Sequence, residues 1–374
     1  MGKRMFFAAL GLLGLFSATN AQAYPGMIRH GYVNCTSCHV SPSGGGVLTP
    51  YGREMAGEVL SAWAKEGEGD FLWGAFAKKL PETLLLGGDT RVLGTYRDNP
   101  VFKEKRLFLM QSDLEAAYGW GKLTADLELG YVDGDGLESL RHYLMYHFDD
   151  QDTLRLGKFR NSFGINTDEH TLAIKNNLGW GDETETYNLE YARLTDRYSL
   201  YATGIFGAPE SIETRSGLSF GRTGYVDSGG GSVRASAFLA DKFELGASYF
   251  YGKKLNADPR SVVGPFAILG FTKRLFYLGE LDFQSKTSRW GVFDFQRLTY
   301  EVRQGLQVFL QQELAQSNQV SQTGTNARLE RYGVGALFFP RPHFEIDARM
   351  HWQKDVYSET AFHPYAWLLL HYYL

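Results

Sequence analysis

Leu123-Thr124-Ala125-Asp126-Leu127-Glu128-Leu129-Gly130-Tyr131 decides the fold, because its side chains alternate with period two. Leu123, Ala125, Leu127, Leu129 and Tyr131 fall on one side of an extended chain, and Thr124, Asp126, Glu128 and Gly130 on the other. Phe344 to Gln353 repeats the pattern, with Phe344, Ile346, Ala348, Met350 and Trp352 opposing Glu345, Asp347, Arg349, His351 and Gln353. Phe243, Leu245, Ala247, Tyr249 and Tyr251 form another apolar face, as do Val233, Ala235, Ala237 and Leu239. A tilted strand crosses a bilayer in roughly ten residues. An amphipathic strand of that length ending in Tyr or Trp predicts a barrel wall with an apolar outside and an aromatic girdle.

Working outward, about sixteen such segments are read from 84–95 to 364–374, each of roughly ten residues. Gly119-Trp120-Gly121, Thr195-Asp196-Arg197, Asp241, Lys273-Arg274-Leu275 and Pro340-Arg341-Pro342 are tight connections, and longer loops fall at 164–183, 208–228, 253–263, 317–327 and 354–363. Short turns on one side and long loops on the other put both termini on the periplasmic side. A two-sheet soluble sandwich would also alternate, but with strands of about five or six residues. The last strand presents Ala366, Leu368, Leu370, Tyr372 and Leu374 on one face, and so resembles the C-terminal signal of outer-membrane barrels, with Leu374 in place of the usual Phe or Trp. The expected fold class is all-β: a transmembrane outer-membrane β-barrel preceded by a small α-helical segment.

The 374 residues carry a net charge of −4, or −6 once Lys3 and Arg4 are removed, which argues against a nucleic-acid partner. Lys3 and Arg4 precede an apolar run from Met5 to Phe16, and Ala21-Gln22-Ala23 reads as a cleavage site, so residues 1–23 are expected to be a signal peptide and Tyr24 the mature start. The remaining chain divides at 24–80 and 81–374, the second part being the porin-like barrel.

Cys35-Thr36-Ser37-Cys38-His39 contains both cysteines of the chain. Cys-x-x-Cys-His is the attachment signature of a c-type haem, in which two thiols hold the porphyrin and the adjacent imidazole ligates iron. A zinc site would need further ligands, with only His30 nearby, and a thioredoxin-like pair would need a following helix where Val40 to Gly46 reads as loop. One covalent haem c is therefore expected, with Cys35, Cys38 and His39 binding it. Thr49-Pro50 reads as an N-cap and N1 opening a helix to about Lys65, and a second short helix is expected over 71–80. On the first, Met55 is the leading candidate for the distal iron ligand, with His30 and Met27 as alternatives; it reads equally as a core methionine of that helix.

A haem motif, a short linker and a barrel running to the last residue resemble the fused monohaem cytochrome c–porin family of outer-membrane proteins. The resemblance implies oxidation of extracellular Fe²⁺ or another redox donor and delivery of electrons to a periplasmic electron-carrier protein, with the haem segment at the periplasmic side or inside the barrel. It leaves open whether the chain is an iron(II):cytochrome c oxidoreductase or a plain electron carrier. Gly157-Lys158-Phe159-Arg160-Asn161-Ser162-Phe163-Gly164 also resembles segments of phosphate-selective-type porins. The alternative function is a solute or ion porin with a haem-bearing periplasmic plug or docking domain.

By alternation, Asp89, Asp113, Glu115, Asp126 and Glu128, and further round Glu244, Glu280, Asp282, Glu313, Glu345 and Asp347, face the lumen. They read either as an acidic conduit for cations or as partners of Arg141, Arg155, Lys158 and Arg160. The 164–183 loop, with Asp168, Glu169 and His170, reads either as folding inward or as an ordinary extracellular loop. Asp133-Gly134-Asp135-Gly136 and Gly229-Gly230-Gly231 read as a turn and a loop.

Overall fold

A computed structural model of the protein describes residues 25–74, 80–98, 103–132, 136–167, 169, 172–180, 184–207, 227–254, 257–287, 289–320, 326–355 and 361–374. The signal segment, Tyr24, residues 133–135, Asp168 and His170 lie outside the described residues. The strands are β1 (Leu84–Gly87), β2 (Asp89–Asp98), β3 (Lys103–Trp120), β4 (Leu123–Val132), β5 (Gly136–His147) and β6 (Asp152–Phe159). Then come β7 (Thr186–Leu194), β8 (Tyr198–Gly207), β9 (Asp227–Leu239), β10 (Phe243–Lys254), β11 (Arg260–Gly270) and β12 (Leu275–Lys286). The last are β13 (Arg289–Arg303), β14 (Leu306–Val320), β15 (Asn326–Phe338), β16 (Phe344–Asp355) and β17 (His363–Tyr373).

Each strand from β2 to β17 pairs antiparallel with the next, and β17 returns to β2 through Tyr365↔Arg97 to Tyr373↔Asp89. The result is a closed barrel of sixteen strands, as the segment count predicts. β1 continues the line of β2 along the same edge of β3, the two being split at Gly88. Gly88 has φ +156, and a side chain there would meet the Asp113 carbonyl at 2.4 Å. That close approach explains both the break and the residue.

The alternation read from the sequence sorts the two faces of the wall. Leu114 is 68% exposed on the outside, while its neighbours Asp113 and Glu115 are buried. A soluble sandwich would bury the leucines and expose the acids, so the inversion excludes it. Leu107, Leu144, Leu156 and Leu310 share the exposed outer surface.

Two expectations change. Gly229-Gly230-Gly231 lies inside β9, because the backbones approach too closely for side chains: a Cβ on Gly230 would meet the Tyr251 carbonyl at 2.4 Å. The expected loops at 253–263 and 317–327 shrink because β11 begins at Arg260 and β14 runs to Val320. The long connections are those after β6 and β8.

Candidate functional site

Residues 25–74 form a plug segment, of which the part up to Ser61 threads into the barrel at its short-turn end. Arg29 is fully buried and pairs with Glu301 of β13 at 2.9 Å, with its guanidinium over the Phe276 ring. The Asn34 side chain donates to the carbonyl of Thr195 in the β7–β8 turn. Deeper in, Arg155 of β6 donates to the hydroxyls of Ser41 and Ser43, and Tyr201 of β8 donates to the Pro42 carbonyl. The glycine loop of the plug ends at Gly46, whose φ of +68 and close neighbours Glu115 and Arg141 leave no space for a side chain.

The cysteine motif forms one tight turn, in which the amides of Cys38 and His39 both donate to the Cys35 carbonyl. A short ladder follows: His39 bridges Leu48, and the Val40 amide donates to the Val47 carbonyl. Thr49 then caps helix α1 (Pro50–Met55) as the sequence predicts. Its hydroxyl accepts from the Gly52 amide at 3.1 Å and donates to the Ser37 carbonyl at 2.6 Å, so the cap also ties α1 to the motif. Gly52 lies against Cys38, where a Cβ would come within 2.3 Å of the Cys38 carbonyl oxygen. Burial pushes the Cys38 thiol up to about 12.

The expected helix to Lys65 is shorter than its apolar spacing suggests. After α1 a wider turn covers Ala56–Leu60, and Ser61 is extended, its hydroxyl bonded to the Ala56 carbonyl. The amides of Ala62 and Trp63 donate to the carbonyls of Phe339 and Pro340 in the β15–β16 turn, and these partners draw the chain out of the helix. Of the expected helix over 71–80, Phe71–Gly74 forms a single turn with Leu72 and Trp73 at positive φ, and 75–79 lie outside the described residues.

Cys38, His39, Met27 and Met55 line one cavity of about 160 Å³. Met27 and Met55 are both buried, and the Tyr32 hydroxyl lies 3.2 Å from the Met55 sulfur. Tyr32, whose hydroxyl also bonds that of Tyr51, has its pKa raised by burial first and by Tyr51 second. Cys35 opens on an adjoining crevice beside Tyr32 and Tyr201. His30 is away from the cavity: its Nε2 accepts from Arg29 at 3.0 Å, and burial, then Arg29 and Lys273, lower its pKa to about 4. Two thiols one turn apart are the chemistry of covalent porphyrin attachment, and an imidazole and two thioethers are ligands suited to its iron.

The sequence reading missed the barrel's share of this cavity. His371 of β17 is held between Asp89 of β2 and Glu345 of β16, with Nδ1 2.9 Å from Glu345, and Tyr373 and Arg91 complete that wall. The signal was present, since His371 and Tyr373 alternate with the apolar face of the last strand.

Above the plug, the long connection after β6 folds inward. Its helix α2 (Ala173–Leu178) is largely buried; the Ala173 amide bonds Glu313, and Lys175 bonds Glu280 at 2.8 Å. Glu169 sits between Arg297 and Arg349. The inward reading of this loop therefore holds. The lumen acids are paired in part: Arg141 holds Glu115 and Glu128, Arg234 holds Glu244, Lys175 holds Glu280 and Arg331 holds Glu313, whereas Arg155 and Arg160 pair with Glu190 and Glu185 and Lys158 bonds the Ser139 carbonyl. Between this loop and β2–β6 remains a polar cavity of about 120 Å³, which shares Gly46, Asp89 and Arg91 with the motif cavity.

No family model matches the chain, and no curated protein matches it. Solved structures do match. The high-pH structure of Pseudomonas putida OprB has a TM-score of 0.58 and 13% identity, over 85% of this chain and 99% of that one. Salmonella typhi OmpF in complex with daunomycin has a TM-score of 0.57 and 10% identity, over 78% of this chain and 97% of that one. An anion-selective porin from Comamonas acidovorans has a TM-score of 0.56 and 11% identity, over 78% of this chain and 99% of that one. The chain thus has the fold of outer-membrane porins.

Proposed function

We propose that the chain is an outer-membrane electron-transfer protein that carries one covalent c-type haem on its plug. It passes electrons between an extracellular donor, Fe²⁺ by the family resemblance, and a periplasmic electron-carrier protein. The observation that carries this reading is that the motif cavity and the lumen cavity lie on either side of the same residues, Gly46, Asp89 and Arg91. A donor held in the lumen cavity would be separated from the motif by that shared wall alone.

Cys35 and Cys38 would hold the group covalently, and His39 with Met55 or Met27 would ligate its iron. Bound there, haem supplies one-electron exchange, with a thioether ligand raising the potential relative to imidazole. The chain's own residues do the rest. Gly52 lets α1 close over Cys38, Tyr32 orients the Met55 sulfur, and Asp89 with Arg91 balances charge where the two cavities meet. The exposed leucines of the outer wall support lipid contact.

Adding Fe²⁺ to the purified protein in detergent and following the haem absorbance tests the reading: reduction is expected, and its failure across a range of pH overturns the iron donor. Met55→Leu and Met27→Leu separate the two ligands, since only the ligand's loss shifts the potential and the reduced spectrum. A second reading, a solute or ion porin with a haem-bearing plug, is favoured by the porin fold and the polar lumen cavity. Planar-bilayer conductance for small ions distinguishes it.

A further inference from the structure

Beyond Ser61 the plug leaves the lumen by crossing the rim of the barrel, and two of its tryptophans end up outside. Gln304 in the β13–β14 turn donates to the carbonyls of Glu58 and Ser61, which fixes the crossing point. Trp63 then lies edge-on to Phe338, 5.5 Å between centroids, with the Arg303 guanidinium over its ring. Phe338 ends the outward-facing row of Tyr332 and Val334 on β15. Trp73 stacks on Phe344 at 6.2 Å and lies 5.6 Å from Tyr372, both on the outward rows of β16 and β17. Between the two tryptophans, His343 bonds the Asp70 carbonyl and Arg341 pairs with Glu68, so the segment is strapped to the rim. Trp63 is 54% exposed and Trp73 45%.

We infer that Trp63 and Trp73 anchor the plug in the phospholipid headgroup layer at the short-turn end of the barrel. Indoles favour that layer because one part of the ring is apolar and the N–H is polar. Both rings are continuous with the outward aromatics of that end, where Trp120, Phe148 and Tyr198 are also exposed. The turns of the same end carry exposed Lys122, Arg197, Lys242, Lys273 and Arg274, whose long stems reach phosphate groups from the rim. Barrel strands normally supply such a girdle. Here the plug adds two members to it, so the plug is held by the bilayer as well as by the lumen.

The inference rests on the outer wall being lipid-embedded, and the experiment separates the two. The full chain and its W63F/W73F variant are refolded into phosphatidylethanolamine–phosphatidylglycerol vesicles whose acyl chains carry bromine near the headgroup or near the bilayer centre. The wild-type-minus-variant emission reports the two anchors, and the variant's own emission reports the five remaining tryptophans, the outward Trp120, Trp290 and Trp352 and the buried Trp180 and Trp367. Shallow bromine is expected to quench the difference emission about twofold or more, deep bromine less, and aqueous iodide little. Difference emission quenched by iodide and unmoved by bromine overturns the anchor and makes the two indoles a water-facing surface suited to a protein partner. Bromine leaving the variant's emission unquenched as well overturns the lipid-embedded wall. Where the double variant loses heat-modifiable migration, W63F and W73F taken singly give the same subtraction.

Discussion

Gly52→Ala tests how the plug is held closed. The added Cβ would sit 2.3 Å from the Cys38 carbonyl oxygen and 2.8 Å from Cys38 Cα, both backbone atoms that no side-chain rotation can move. Restoring ordinary contact requires α1 to retreat by about 1 Å, against the Thr49 tie that holds it to Ser37. Overpacking of this kind costs about 1–3 kcal/mol, and a backbone clash belongs at the upper end. Alanine's better helix propensity returns up to about 1 kcal/mol. The net loss is then about 2 kcal/mol, which is about a thirtyfold rise in the open population. The assay is the rate of maleimide labelling of Cys38 in haem-free refolded protein, with Cys35 replaced by Ser. Cys38 is 5% exposed, so its labelling follows local opening. Gly57→Ala is the control, since its Cβ would meet Pro342 at 3.6 Å and Ala64 at 3.8 Å, both ordinary contacts. Labelling of Gly52→Ala within about twofold of the parent would refute the reasoning.

Arg155→Met leaves Glu190 buried with only the Ser162 and Thr203 hydroxyls, at a cost of about 3–5 kcal/mol; the temperature at which heat-modifiable migration is lost falls, and Arg155→Met with Glu190→Leu regains most of it. Glu169→Gln removes the charge between Arg297 and Arg349; bilayer recordings then show greater anion preference, and unchanged selectivity contradicts the inward position of the loop. The pKa of His30 lies at about 4 when folded, below the ordinary 6.5, so the unfolded chain binds the proton first as pH falls. Stability therefore declines from about pH 6.5 towards 4, by a modest amount because the ring is only half-buried. Urea midpoints across that range show the slope, and His30→Gln flattens it.

The wall was legible because period two survives any register: each of the sixteen segments carries its own inside and outside. Thr49 as the cap of α1 was legible for the same local reason. What filled the barrel was not. The pairing of Arg155 with Glu190 follows from neighbouring strands, but its hold on Ser41 and Ser43 joins positions far apart in the chain. The end of the helix at Leu60 depends on two carbonyls in the β15–β16 turn, which no local pattern encodes. Gly229-Gly230-Gly231 misled because glycine is a weak strand former, while the structure uses it for close backbone approach. The Cys-x-x-Cys-His motif is a chemical signature and not a packing one, so its chemistry is read from the residues and its surroundings from the fold.

The seam between β17 and β2 imposes an order in time. The plug precedes every barrel strand in the chain, and β17 follows the other strands. Once β17 seals against β2, Cys38 is enclosed behind α1, within a ring of sixteen strands, and too buried for a modifying enzyme to reach. Covalent attachment at that thiol, as proposed, would therefore belong to the interval before closure. A chain that closed too quickly would be sealed unmodified, and the slowness of long-range strand pairing would set the length of that interval.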